Sequence, residues 1–129
     1  SVVMIDIDHF RKVIDTLGRT TGDQVLAEVA RRLAGAVRAD DFIGRFGTAE
    51  FVAILNGPAA AARVVAERMC TTVAAAPVAT GRGALQVTVS VGLTTVARSD
   101  VLATGLLARA DAALDQARRS GRNRVVAAN

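Results

Sequence analysis

The stretch Asp41–Leu55, DFIGRFGTAEFVAIL, constrains the fold more than any other part of the chain. Two short apolar runs flank a turn that contains Gly47, which is the pattern of two neighbouring strands joined by a tight connection. One carboxylate, Glu50, lies just inside the turn. An earlier apolar segment ends with Asp6 and Asp8, and carboxylates at strand ends can meet around a cation. The two segments together predict the geometry of an active site.

The rest of the chain alternates between strand and helix patterns. Helices are predicted where apolar residues recur at helical spacing, and strands where apolar runs are short or alternate with Thr and Ser. In the first half of the chain we predict strand Val2–Ile7, helix His9–Leu17 with Asp8 as N-cap, a second helix capped by Thr20 or Thr21, and then the hairpin. In the second half we predict a helix from Pro58 to before Pro77, a turn at Gly81 and Gly83, and strand Leu85–Val96. A helix with an apolar stripe from Leu102 to Ala117 and strand Arg124–Ala127 complete the chain. The order β-α-α-β-β-α-β-α-β predicts an α/β (α+β) fold of the ferredoxin-like or nucleotide-cyclase palm type, with a mostly antiparallel sheet flanked by helices.

Composition narrows the function classes. At 129 residues and 51% hydrophobic, the chain is long enough for one domain and too short for two ordinary ones. No apolar run approaches the roughly 20 residues of a membrane-spanning helix, so we expect a soluble, cytoplasmic domain without membrane contact. The net charge is +4, but aromatic residues are 3% and no basic block occurs, which favours small anionic nucleotides over a polynucleotide. The single cysteine, Cys70, is predicted to be a core thiol in a reducing compartment.

Three motifs resemble those of the GGDEF (diguanylate cyclase) family, in the right order and spacing. The turn Gly47–Phe51, GTAEF, stands where the family has its signature turn. Asp6–Leu26 resembles the run DxDxFKxxND…GHxxGD, and Ala108–Val125 resembles ADxALYxAKxxGRN. The chain begins at its first predicted strand, without the helix and LTGLxNR-type segment that usually precede it in the family. We therefore expect residues 1–129 to be a single GGDEF-like domain from a longer signalling protein.

The resemblance implies a specific chemistry at the turn. Diguanylate cyclases join two GTP molecules into cyclic di-GMP with a divalent metal, which the first strand and the acidic third position of the turn hold. The resemblance assigns metal ligation to the Asp6 side chain and the Ile7 carbonyl, and it places Ala49 at the acidic position. Thr48 replaces a Gly, and we expect a β-branched residue there to resist positive φ and to crowd the phosphates. The turn Gly47–Phe51 is therefore predicted to be vestigial, with no intact catalytic residue and an incomplete metal site. Mg²⁺ is expected only if GTP binding or cyclase activity remains.

The resemblance also implies that three residues bind GTP. Asp23 stands at the position that reads guanine, and Arg118 and Arg122 stand where the family's Lys and Arg meet the phosphates. Ile14 replaces an Asn that hydrogen-bonds the base, which would leave a polar edge unpaired at about 1 to 3 kcal/mol. The residues themselves leave alternatives open, because Asp23 could cap the second helix and Arg118–Arg124 could be a solvated helix end.

Arg38 and Asp41 match the RxxD motif of the family's inhibitory site, where cyclic di-GMP binds. A guanidinium presents paired donors to guanine O6 and N7 or to phosphate, and a carboxylate accepts from N1 and N2. We expect both side chains at a solvent-facing corner, where they could also form no more than a surface ion pair.

The resemblance thus predicts a degenerate, inactive domain that binds cyclic di-GMP and requires no cofactor. Two other interpretations stay open. One is a regulatory domain that binds GTP or protein, as a homodimer or beside a phosphodiesterase or sensor domain, and the other is a weak cyclase.

Overall fold

A computed structural model of the chain describes residues 1–95 and 103–128. Its elements, in chain order, are β1 (Val2–Ile7), α1 (Phe10–Leu17), α2 (Arg19–Ala36), β2 (Phe42–Arg45), β3 (Glu50–Ile54), α3 (Ala59–Ala74), β4 (Val78–Thr80), β5 (Gly83–Leu85), β6 (Val89–Thr94), α4 (Ala103–Arg119) and β7 (Val125–Ala127). The predicted mixed fold, a central sheet flanked by helices, is confirmed. No helix in these two ranges is long and apolar enough to span a bilayer.

A five-stranded sheet in the order β2-β3-β1-β6-β7 forms the centre of the fold. β1 pairs antiparallel with β3 and β6, and only β7 runs parallel to its neighbour β6. The apolar run of β1 is buried because both sheet faces are covered. Its alternate side chains join two apolar clusters, the larger one with α2 and α3 through Val3, Ile5 and Ile7, and the smaller one with α4 through Val2 and Met4.

Gly92 fixes the position of α4 on the sheet. A Cβ atom on Gly92 would lie 2.2 Å from the carbonyl oxygen of Ala110 and 2.3 Å from the amide nitrogen of Leu114. The backbone of α4 therefore rests directly on β6, an approach that only glycine permits. With α4 packed in this position, Arg118 at its C-terminal end reaches Asp6 on β1.

Both predicted N-caps are wrong. α1 begins at Phe10, its N-cap is His9 at φ 59°, and no side chain caps it. Asp8 is buried and bonds elsewhere. α2 begins at Arg19 directly after Gly18, which at φ 93° both closes α1 and precedes α2. One glycine therefore serves both helix ends, and neither predicted threonine is needed as a cap.

The predicted strand Leu85–Val96 is two strands. β5 ends at Leu85 and pairs with β4 in a separate small hairpin that sequence analysis missed, and β6 begins at Val89. Val and Thr alternate across the break, so the pattern gave no sign of it. The tip of the hairpin is tied to α2, because the Gly81 N–H donates to Gln24 Oε1 at 2.9 Å. The predicted end of the strand and the predicted start of α4 at Leu102 lie outside the described residues.

The single cysteine lies where the sequence predicted it. Cys70 is buried between α3 and the sheet, and burial raises the pKa of its thiol to about 12. A thiol with so high a pKa is unreactive near neutral pH. Cys70 is therefore a packing residue.

Candidate functional site

A cleft of about 640 Å³ lies where the β2–β3 turn faces the end of β1 and α1. The strands and the turn contribute Asp6, Ile7, Thr48, Ala49 and Glu50, and the helical side contributes His9, Phe10, Arg11, Ile14, Asp15 and Arg19. The structure thus brings the predicted metal ligands and the predicted signature turn into one cavity.

Asp6 is the central carboxylate of this cleft. It lies opposite Glu50 in the β1–β3 register and opposite Ser90 in the β1–β6 register. Arg118 reaches it from α4, and both Nε and Nη2 lie 2.9 Å from Asp6 Oδ2. Burial raises the pKa of Asp6, and the Arg118 ion pair opposes that rise without cancelling it. Only one oxygen of Asp6 is engaged by the guanidinium.

Glu50 adds a second carboxylate beside the first. Burial raises the pKa of Glu50, and the nearby charge of Asp6 raises it further. Among the described residues, the Glu50 side chain has no hydrogen-bond or ion-pair partner. Arg118 pairs directly with Asp6 and acts on Glu50 only through its charge, so the site resists carrying both negative charges.

The turn itself differs from expectation in one respect. Gly47 takes φ 86°, but Thr48 does not take positive φ, since the non-glycine residues described with positive φ are His9, Arg122 and Asn123. The left-handed position of the turn falls on Gly47, so the backbone of Thr48 needs no positive φ. Arg45 stabilises the turn by donating to the carbonyl oxygens of Gly47 at 3.1 Å and Thr48 at 2.9 Å.

Asp8 has a structural role that sequence analysis missed. Its Oδ2 accepts from Thr88 Oγ1 at 2.6 Å and from the Asn123 N–H at 3.0 Å, and its Oδ1 accepts from Ser90 Oγ at 2.6 Å. These bonds join the end of β1 to β6 and to the turn before β7. Asp8 is therefore committed to this network and does not meet a cation together with Asp6, as the sequence suggested.

The corner between α2 and β2 holds the other predicted site. Arg38 Nε donates to Asp41 Oδ2 at 2.8 Å, and Arg38 Nη2 donates to Oδ1 at 3.0 Å. The backbone N–H groups of Arg38 and Asn56 each add a bond of 2.9 Å, to Oδ2 and Oδ1 respectively. These donors fill the roughly four acceptor positions of a carboxylate.

The two side chains of this corner differ in exposure. The Asp41 side chain has no solvent exposure, whereas 37% of the Arg38 side chain is exposed. The expectation that both face solvent is wrong for Asp41, because its capping of the backbone draws it inward. The hydrogen bond from Arg38 holds the pKa of Asp41 at about 2, helped by the N–H bonds.

Comparison with known proteins places the chain in a family. The sequence profile described as "Diguanylate cyclase, GGDEF domain" matches residues 1–124. The chain belongs to this family. It is 46% identical over 129 residues to response regulator PleD of Caulobacter vibrioides, covering 98% of the chain and 28% of that protein. It is 38% identical over 126 residues to diguanylate cyclase A of Treponema denticola, covering 97% of the chain and 34% of that protein. The chain thus spans about a third or less of these curated relatives.

Solved structures agree with the family assignment. Diguanylate cyclase SiaD of Pseudomonas aeruginosa, solved in complex with its activator SiaC, matches with a TM-score of 0.92 at 39% identity, covering 98% of this chain and 49% of that one. The GGDEF domain of DgcB from Caulobacter crescentus, solved in complex with c-di-GMP, matches with a TM-score of 0.91 at 32% identity, covering 98% and 75%. This GGDEF domain therefore shares its fold with domains from the cyclic di-GMP signalling system.

The cleft of this GGDEF domain does not fit Mg²⁺ well. Octahedral coordination needs several oxygen ligands. Ala49 offers a methyl group, and the remaining donors from the predicted set are one free oxygen of Asp6 and the carbonyl of Ile7. Among residues 1–95 and 103–128, no group of three or more His, Cys, Asp or Glu side chains could hold a metal ion.

The predicted GTP residues are only partly brought together. Arg118 binds Asp6, and Arg122 lies near enough to lower the pKa of Asp6 slightly. Asp23 instead lines a separate cleft of about 430 Å³ between α2 and the β2–β3 hairpin. The alternative that it caps α2 is wrong, because no side chain caps that helix. Ile14 packs on the second helix, so closely that a Cβ on Gly22 would lie 2.8 Å from its Cγ1.

Proposed function

We propose that this GGDEF domain is a catalytically inactive, cytoplasmic receptor for cyclic di-GMP within a longer signalling protein. The observation that carries the proposal is the contrast between Ala49, where the family motif needs an acid, and Arg38 with Asp41, where both motif residues are present. One domain of the same fold, from DgcB, was solved with c-di-GMP bound, which supports the choice of ligand.

The inactivity rests on the cleft. A cyclase must activate a 3′-hydroxyl and neutralise a triphosphate, and a correctly ligated divalent metal does both. At position 49 this domain lacks a carboxylate, and Arg118 already neutralises Asp6. A guanidinium can meet phosphate oxygens, but it does not lower the pKa of a hydroxyl as a metal does.

Ligand binding rests on Arg38. Its guanidinium is partly exposed, and Nη1 forms no hydrogen bond among those described. Cyclic di-GMP offers two guanine bases and two phosphates, and a guanidinium matches both groups with paired donors. The corner therefore presents a fixed cationic group to an anionic, planar ligand.

Isothermal titration calorimetry with cyclic di-GMP tests this proposal. We expect the wild-type domain to bind, and Arg38→Ala to lose about a hundredfold in affinity, because a charge-assisted pair of hydrogen bonds is removed. Arg63→Ala is the matched control, because Arg63 is an exposed arginine on α3 that only pairs with Glu67 in the next turn. Equal binding by wild type and Arg38→Ala would overturn the assignment of the site.

A second candidate is a regulatory domain that binds GTP weakly and with little need for metal. Arg118, which pairs with Asp6, and Arg122, whose charge acts on Asp6, favour it, since two guanidinium groups can meet a triphosphate. Calorimetry with GTP, with and without Mg²⁺, separates this candidate from a cyclase. Tight binding that strictly requires Mg²⁺ would contradict it and would favour the weak-cyclase interpretation.

A further inference from the structure

The Arg38–Asp41 pair has a third member, the backbone of Asn56. The Asn56 N–H donates to Asp41 Oδ1 at 2.9 Å, and the Asn56 carbonyl oxygen accepts from Arg38 Nη2 at 2.5 Å. The Asn56 side chain holds this segment in place, because its Nδ2 donates to the carbonyl oxygen of Asp40. One residue therefore presents a donor to the carboxylate and an acceptor to the guanidinium.

A guanine base has the same pair of groups on one edge. Its N1–H is a donor that a carboxylate can accept, and its neighbouring O6 is an acceptor for a guanidinium. Donor and acceptor are adjacent in guanine, as N–H and C=O of one residue are along the edge of an extended strand. The Asn56 backbone thus meets Arg38 and Asp41 with the hydrogen-bond pattern that a guanine edge would bring.

We propose that Asn56 is a built-in competitor for guanine at this site, so that the described conformation is the self-occupied, closed form. The inference rests on the proposed function, since it concerns how cyclic di-GMP gains the same two residues. Asp41 has no spare acceptor position while Asn56 is bound, so a guanine can pair with Asp41 only after the Asn56 N–H has left it. Ligand binding is therefore coupled to displacement of the segment between β3 and α3.

The turn after Asn56 is built in a way that permits this movement. Gly57 takes φ 97°, a conformation that only glycine adopts readily, and Pro58 follows as the N-cap of α3. The contact with Asp40 is then the main side-chain tie of Asn56 itself. Displacement needs a local change at Asn56 and Gly57 and leaves the strands and α3 in place.

Two variants and one spectroscopic measurement test the inference. Asn56→Pro removes the backbone N–H that occupies Asp41, and we expect it to bind cyclic di-GMP about tenfold more tightly than wild type. Asn56→Ala keeps both backbone groups and removes only the side-chain bond to Asp40, so we expect a smaller gain, within about threefold of wild type. In wild type, hydrogen exchange of the Asn56 amide should become faster when the domain is saturated with cyclic di-GMP, because that N–H loses its acceptor.

The outcomes separate the two proposals. Binding by wild type with weaker or unchanged binding by Asn56→Pro, or with a slower Asn56 amide, would overturn the competitor role while leaving the receptor function intact. Binding by Asn56→Pro alone would support the competitor role and show that wild type is locked closed. If Asn56→Pro fails to fold, the amide exchange of wild type decides. Absence of binding by wild type and both variants would overturn both proposals.

Discussion

Two arginine–carboxylate pairs in this domain have opposite properties. Arg38 and Asp41 are three residues apart, and every acceptor position of the carboxylate is filled by nearby donors. Arg118 and Asp6 are 112 residues apart, and the guanidinium meets only one oxygen. The first pair holds the pKa of Asp41 at about 2, whereas the second leaves the pKa of Asp6 above its usual value.

The difference shows that keeping the motif residues is not the same as keeping an open site. The corner retains both of its residues but presents only the guanidinium to solvent. The cleft has free acceptor positions on Asp6 and Glu50, but it lacks a carboxylate at position 49. The acceptor positions of Asp41 are thus already occupied at the corner, whereas the cleft holds one carboxylate, Asp6, that is paired on one oxygen and another, Glu50, whose side chain is not paired.

The largest expected effect concerns turnover in the cleft. We expect the purified domain to make cyclic di-GMP from GTP with Mg²⁺ or Mn²⁺ at least roughly a thousandfold more slowly than an active cyclase, because Ala49 removes a metal ligand. Chromatographic detection of the product checks this. Product formation at ordinary cyclase rates would contradict this prediction, and with it the contrast between the Asp6 cleft and the Arg38–Asp41 corner.

A repair series sharpens the same prediction. Thr48→Gly with Ala49→Asp restores the signature turn, and adding Ile14→Asn restores the contact to the base. We expect measurable turnover from the double variant only if Ile14 is not also limiting, and more from the triple variant. No turnover from either variant would place the defect elsewhere in the cleft, for example in the capture of Asp6 by Arg118.

Sequence patterns predict the parts of the molecule that are determined by residues close together in the chain. The apolar run of β1 and the paired runs around Gly47 each specify an element without reference to distant residues, and the Arg38–Asp41 pair lies within one turn of chain. These predictions hold because short-range spacing determines the structure. The carboxylate of Asp41 was nevertheless placed at the surface, since its bond to Asn56 comes from a segment 15 residues away.

Features that depend on distant segments could not be read from the sequence. The sequence predicts Asp8 as a helix cap, but its carboxylate instead accepts hydrogen bonds from Thr88, Ser90 and Asn123. Arg118 meets Asp6 only because Gly92 lets α4 rest on the sheet. In each case the partner lies 80 or more residues away, and spacing along the chain carries no signal for such pairing.

The next effect in size concerns the long-range pair. Arg118→Met removes the cation that is paired with the half-buried Asp6, so we expect the free energy of unfolding to fall by about 1 to 2 kcal/mol and the pKa of Asp6 to rise further. Urea unfolding and NMR titration measure the two changes. Arg119→Met is the matched control, since Arg119 only forms an exposed pair with Asp115 and should cost less than about 0.5 kcal/mol. Equal losses from both variants would mean that the Asp6 pair is no more than a surface contact.

The two carboxylates also differ in the sign of their contribution to stability as pH changes. The folded-state pKa of Asp41, about 2, lies below its ordinary value of 3.8, so the unfolded chain binds more protons between these values and stability is lost as pH falls from about 4 to about 2. The pKa of Asp6 is raised, so the folded chain binds more protons and stability is lost as pH rises above 3.8. Urea unfolding between pH 2 and about 6, with Asp41→Asn and Asp6→Asn, isolates each contribution as the difference from wild type. We expect the free energy of unfolding of wild type minus that of the variant to grow with pH for Asp41→Asn and to fall with pH for Asp6→Asn. Slopes of the same sign would refute the contrast between Asp41, whose acceptor positions are filled, and Asp6, whose acceptor positions are only partly filled.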